Sequence, residues 1–143
     1  MVQINKKSLF LLLARLALAG VFVMAALPKI QDPVVFANAV AAFRVINSDL
    51  SGWVALVLPW LELVLGIGIL LPAIRRTSGA LIGLLLLLFI ALHTSAWVRG
   101  LDISCGCFGS ESGEVATDYR WLILRNALLL SATILVLRQD SKE

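Results

Sequence analysis

The chain holds two cysteines, and they stand as Cys105-Gly106-Cys107. A disulfide between cysteines one residue apart closes a small, strained ring. The intervening glycine permits the dihedrals such a ring needs, and strain makes the bond easier to reduce. So short a loop removes little entropy from the unfolded chain, so a purely structural staple gains little from it. This spacing suits thiol–disulfide exchange, with Gly109 adding freedom and Arg99 or Arg125 available to favour a thiolate. A structural disulfide, inert thiols, or a Zn or Cu site completed by His93, Asp102 or a second chain are the competing readings. Two cysteines alone are too few to hold a metal, and no bound metal is expected.

The remaining residues with chemistry interrupt long apolar stretches. Arg15, Glu62, His93, Arg125 and Asn126 each sit among aliphatic neighbours, where an unpaired charge is costly and should face a partner. Counting from the two ends of their runs, Arg15 and Glu62 differ in depth by about 6 Å at 1.5 Å per residue, which predicts that they pair. Arg125 can reach towards Glu62 or towards the cysteines. This network either only sets helix register or forms a polar pocket for a head group. His93, with Thr94, Ser95 and Trp97 beside it, stands at the depth where a quinone ring would be held. It is either a hydrogen-bonding structural residue or, with Trp97, Arg125 and Asn126, part of a cofactor site.

The elements that position these residues follow from composition. Of 143 residues, 60% are hydrophobic and 15% charged, and the mean hydropathy is +0.96. That apolar excess is more than a globule of this size can bury, so lipid must take up the rest. A net charge of +3 from 12 basic and 9 acidic residues is too small for a nucleic-acid binder. Four runs are long enough to cross about 30 Å of hydrocarbon: 8–28, 53–71, 78–98 and 121–138. The sequence therefore predicts an all-α fold, a single membrane domain over 1–143 built as a four-helix bundle. The first run has the outline of a signal peptide but exceeds the usual apolar length and lacks a small-x-small site before Pro28, so a retained span is expected.

Asp32-Pro33 reads as an N-cap with proline at the first helical position. It opens a short amphipathic helix over 33–46 that lies on the outer interface. The segment 99–120, with Gly100, Gly106, Gly109 and Gly113, forms an outer loop carrying both cysteines. Gly79-x-x-x-Gly83 is a place where two helices can approach closely. Trp53, Trp97 and Trp121 read as an interfacial belt, and Trp60, deeper, as packed. Lys6, Lys7, Arg75, Arg76, Arg138 and Lys142 fall on one side, against Lys29, Arg44, Arg99 and Arg120 on the other. That asymmetry predicts both termini in the cytoplasm and the cysteines in the periplasm of a bacterial inner membrane.

The stretches "ARLALAGVFVMAALPKIQDP", "LPWLELVLGIGILL" with Glu62, "RGLDISCGCFG" and "LRN" at Arg125-Asn126 resemble the MauE branch of the DoxX-like membrane proteins. The resemblance runs from about Ala14 to Leu130, and the Cys-Gly-Cys-Phe-Gly block is its most specific part. It implies that Arg15, Lys29, Glu62, Cys105, Cys107, Arg125 and Asn126 are marked residues. It also implies redox chemistry at a membrane: maturation of a disulfide-rich periplasmic protein beside a thioredoxin-like partner, or sulfur oxidation linked to quinone. The expectation is then a membrane thiol–disulfide redox protein passing electrons from a periplasmic thioredoxin-like partner to a quinone, alone or as a subunit of a larger redox complex. A persulfide-handling subunit with a rhodanese-like partner and a non-catalytic anchor are the rivals.

Overall fold

The structure, a computed structural model, describes residues 5–103 and 118–142. Every regular element among them is helical. α1 spans Lys6–Gln31, α2 Pro33–Ala42, α3 Ser48–Gly68, α4 Arg75–Val98 and α5 Tyr119–Asp140. Apart from α2, all are long and apolar enough to cross a membrane; the chain is a multi-pass membrane protein. α1 packs along α3, α3 against α4, α4 along α5, and α5 back onto α1, so the four long helices close a ring in that order. α2 covers α3. One end of the bundle, here the loop end, carries α2, the end of α4 and the start of α5. The opposite end carries the chain termini.

The core is an aliphatic seam. Leu11, Leu18, Ala19 and Phe22 of α1, Leu65 of α3 with Ile69 at its C-cap, Ile82, Leu85 and Leu86 of α4, and Val136 of α5 form one buried cluster. Around it, leucines such as Leu13, Leu84 and Leu128 point outward, as expected where the surrounding medium is as apolar as the core. Between α4 and α5 the approach is close. A Cβ on Gly79 would stand 2.8 Å from Leu137 Cδ2, so Gly79-x-x-x-Gly83 serves helix packing within the chain.

Several boundaries differ from those read in the sequence. α1 does not stop at Pro28 but continues to Gln31, with Asp32 N–H closing onto the Pro28 carbonyl at 3.1 Å. Proline loses its own N–H bond and crowds the carbonyl four residues back, yet α1 runs on for three residues beyond Pro28. The helix read as 33–46 ends at Ala42, where Arg44 adopts a left-handed conformation with φ 54°. Asn47 then caps α3 through Leu50 N–H at 2.9 Å, so that helix begins five residues before Trp53. At the start of α2 the Asp32 carboxylate accepts from Val35 N–H at 3.1 Å with Pro33 in the first turn, the cap the sequence indicates. Trp60, read as packed, is 56% exposed: it stands on the outward face of α3, two positions from buried Glu62.

The loop end is tied together by Tyr119. Its hydroxyl accepts from Ile103 N–H at 3.2 Å and donates to the Leu101 carbonyl. Ala96, Ile103 and Tyr119 form a small buried cluster with Phe43 and Leu101 packed against it. α4 closes in a Schellman turn: Leu101 N–H reaches the Ala96 carbonyl at 3.0 Å and Gly100 N–H the Trp97 carbonyl at 3.1 Å. Gly100, at φ 64°, supplies the left-handed residue.

Candidate functional site

The buried charges pair differently from the depth argument. Lys29 Nζ donates to both oxygens of Glu62, at 2.8 and 2.7 Å, and the two side chains are 3% and 2% exposed. Arg15 pairs instead with Asp140, and Arg75 stands 4.0 Å from the same carboxylate. The Arg15–Glu62 pairing is therefore corrected. The depth count set Ser8 and Trp53 at opposite faces of one slab about 30 Å thick. The two helices are instead staggered: α3 begins at Ser48, well beyond the end of α1, so that Glu62 faces the last turn of α1 rather than its middle. Lys29, counted among the loop-end basic residues, lies inside the bundle.

Helical spacing accounts for Lys29. Leu11, Leu18, Phe22 and Ala26 are buried along one face of α1, and the next position on that face is 29. Extending the apolar stripe through Pro28 would have placed Lys29 in the interior. Asp140, the other residue the sequence reading passed over, ends α5 and meets Arg15 in the third turn of α1. Its only sequence signal is being an acidic residue at the end of a span.

Lys29 borders two cavities, and Glu62 the smaller of them. The larger, about 260 Å³, lies between α2, α3 and α4 and is walled by apolar side chains including Phe36, Val40, Phe43, Leu58 and Phe89, with Lys29 and His93 as its polar members. The smaller, about 40 Å³, lies among α1, α3, α4 and α5. Its wall includes Lys29, Glu62, His93, Arg125 and Asn126. Lys29 Nζ is held near the shared wall, 5.0 Å from the Phe36 ring centroid and 5.7 Å from that of Phe89, a cation–π arrangement that offsets part of its burial.

His93 is buried. Its Nδ1 donates to the Phe89 carbonyl at 2.6 Å, so Nδ1 carries the proton. Its ring meets Phe43 edge-on with centroids 5.8 Å apart. Asn126 is also buried. The structure thus brings Lys29, Glu62, His93, Arg125 and Asn126 together, and leaves two sequence-singled residues elsewhere. Trp97, 47% exposed, borders neither cavity; it stacks beneath the Arg120 guanidinium at 5.7 Å. Arg15 belongs to the opposite end. Cys105 and Cys107 lie outside the described residues, as does most of the 99–120 loop. Ile103, two residues before Cys105, packs in the cluster that contacts Phe43, and Phe43 is a wall of the larger cavity.

This arrangement can hold a flat, mostly apolar molecule with an oxygen directed at buried donors. It can also keep charged groups dry next to it, which strengthens their electrostatic effect.

Comparison with known proteins adds an independent line. The family description "Methylamine utilisation protein MauE" matches residues 7–139. The methylamine utilization protein MauE of Paracoccus denitrificans is 33% identical over 124 residues, covering 86% of this chain and 65% of that protein. Its counterpart from Methylorubrum extorquens is 35% identical over 110 residues, 76% of this chain and 58% of the relative. That of Methylophilus methylotrophus is 33% identical over 95 residues, 66% and 50% respectively. The chain thus spans between half and 65% of the length of these curated relatives. No solved structure matches it significantly. With a family match over nearly its whole length and one-third identity to curated members, the chain belongs to the MauE family.

Proposed function

We propose that this chain is a membrane thiol–disulfide redox protein that takes electrons from a periplasmic thiol partner and delivers them to a membrane quinone, in the maturation of a disulfide-rich periplasmic protein. The observation that carries the reading is the larger cavity. It is apolar, about 260 Å³, has Lys29 and His93 as its polar wall, and is linked through Phe43 to the residues that lead into Cys105. The curated relatives are named for methylamine utilization, and we extend that system to this chain. The partner is of thioredoxin-like or rhodanese-like class, and the cysteines face the periplasm with both termini in the cytoplasm.

The residues present fit a quinone. Phe36, Phe43 and Phe89 offer flat apolar walls, Lys29 offers a donor for a carbonyl oxygen, and His93, its Nδ1 proton committed to Phe89, offers an acceptor for a quinol hydroxyl. When bound there, a quinone supplies a two-electron, two-proton acceptor, so that two thiols become one disulfide as it becomes a quinol. The chain's own part begins at Cys105 and Cys107, whose disulfide exchanges with the partner's dithiol through a mixed disulfide. Glu62 holds the Lys29 ammonium at the cavity wall, and the carbonyl of Phe89 fixes the His93 tautomer.

The test uses the purified protein in lipid nanodiscs with a short-chain ubiquinone and a dithiol donor. Quinone-dependent oxidation of the donor is expected in the wild type and should be abolished in Cys107→Ser. That variant should stay folded and trap a mixed disulfide on Cys105, because the resolving thiol is gone. A Cys107→Ser variant that keeps full activity would refute the electron path. One that unfolds would make the cysteines structural.

A further inference from the structure

The smaller cavity has no part in the reading above, yet it is the more polar of the two. At about 40 Å³ it is too small for a ring. A water needs about 10–15 Å³ of such space and two to four polar partners, so this cavity has room for a water, or two to three in contact. Its wall supplies the partners. The Asn126 side chain is buried, and its Nδ2 has no hydrogen-bond partner among the described residues; a buried amide donor is normally satisfied, by ordered water where protein groups are out of reach. Glu62 accepts from Lys29 at both oxygens, and each carboxylate oxygen retains a second acceptor position. The two cavities share Lys29, Phe89 and His93, so a proton carrier in the small one stands directly behind the polar wall of the large one.

We propose that the smaller cavity is a buried water site, positioned by Asn126, and that its water is the proton link that replenishes the Lys29–Glu62 pair when Lys29 gives a proton into the larger cavity. The link takes its purpose from the quinone reading, while the water site itself stands on the cavity and on Asn126. Protons balance as follows. Lys29 Nζ, which borders both cavities, gives one proton into the larger cavity and regains one from the water. Glu62 keeps Nζ in place, so the pair returns to its starting charge. Two such transfers accompany the two electrons, and the water is reprotonated from the two protons that the dithiol releases as it closes to a disulfide, so that no hydroxide is left behind.

Asn126 is a positioning residue, and its test needs a readout that packing alone would not move. Infrared difference spectra in H2O and D2O are recorded on nanodisc samples of the wild type, Asn126→Leu, Ala25→Val and Asn126→Ser. Ala25 lines the same cavity from α1, so Ala25→Val fills it without touching the amide, should Asn126→Leu fail to fold. The wild type should show an exchangeable buried-water band that is lost in both filled variants and kept in Asn126→Ser. With a short-chain ubiquinone, the filled variants should oxidise the dithiol at least about tenfold more slowly, a floor set below the roughly 10²–10⁴-fold that a positioned proton donor contributes. Quinone affinity should hold within about twofold, and Asn126→Ser should recover most of the rate. Absence of the band in the wild type, or its persistence in both filled variants, overturns the water site. Loss of the band with an unchanged rate overturns the proton link. Absence of quinone-dependent oxidation in the wild type removes the quinone reading and the link with it, and the band still decides the water site on its own.

Discussion

Removing one member of the Lys29–Glu62 pair should damage the protein more than removing both. Nζ lies 2.8 and 2.7 Å from the two carboxylate oxygens, and neither side chain reaches the surface. Glu62→Gln strands an ammonium, and Lys29→Met strands a carboxylate. Each loss of a buried partner costs about 3–5 kcal/mol, whereas apolar replacement of a whole buried pair is often neutral or better. Independent effects would sum to about 6–10 kcal/mol, comparable to the entire stability of many domains. The double variant Lys29→Met/Glu62→Leu should stay within about 1 kcal/mol of wild type. Denaturant titration of the four members of the cycle in bicelles measures this directly. If a single variant does not accumulate in folded form, recovery of folded yield by the second substitution is the readout. Losses that add would refute the pairing. As a control, Arg15→Gln combined with Glu62→Gln should be additive, because Arg15 pairs with Asp140 at the other end.

Asp140→Asn should cost about 1–3 kcal/mol by leaving Arg15 and Arg75 without their shared carboxylate; a cycle with Arg15→Gln should show coupling, and additivity would reject the contact. Gly79→Ala should cost about 1–3 kcal/mol in thermal or denaturant unfolding, since its Cβ would press on Leu137. Gly20→Ala, with nothing within 4 Å of the added carbon, should be neutral or stabilising by up to about 1 kcal/mol. A membrane-impermeant thiol reagent applied to intact cells after mild reduction should label Cys105 and Cys107, and labelling seen only after lysis would reverse the proposed orientation.

The four spans were legible in the sequence because the bilayer sets a length and the absence of water sets a composition, and both can be counted without knowing any contact. Asp32-Pro33 was legible for a similar reason: a cap and a fixed φ act within one turn. The polar residues inside the spans could be named, since a charge among leucines stands out wherever it faces. Their partners could not be read this way. Pairing depends on the relative height and rotation of helices far apart in sequence. The depth count set the two spans level, whereas α3 extends well beyond the end of α1, and that stagger carries Glu62 from the level of Arg15 to that of Lys29. Trp60 shows the same limit in rotation: two positions from Glu62 on a helix is about 200°, and only the neighbours of α3 determine which of the two turns inward. The order of helices around the ring, the buried ion pair and the two cavities that share Lys29 and His93 therefore belong to tertiary packing, because each arises from how the outlines of separate helices fit rather than from any one stretch of chain.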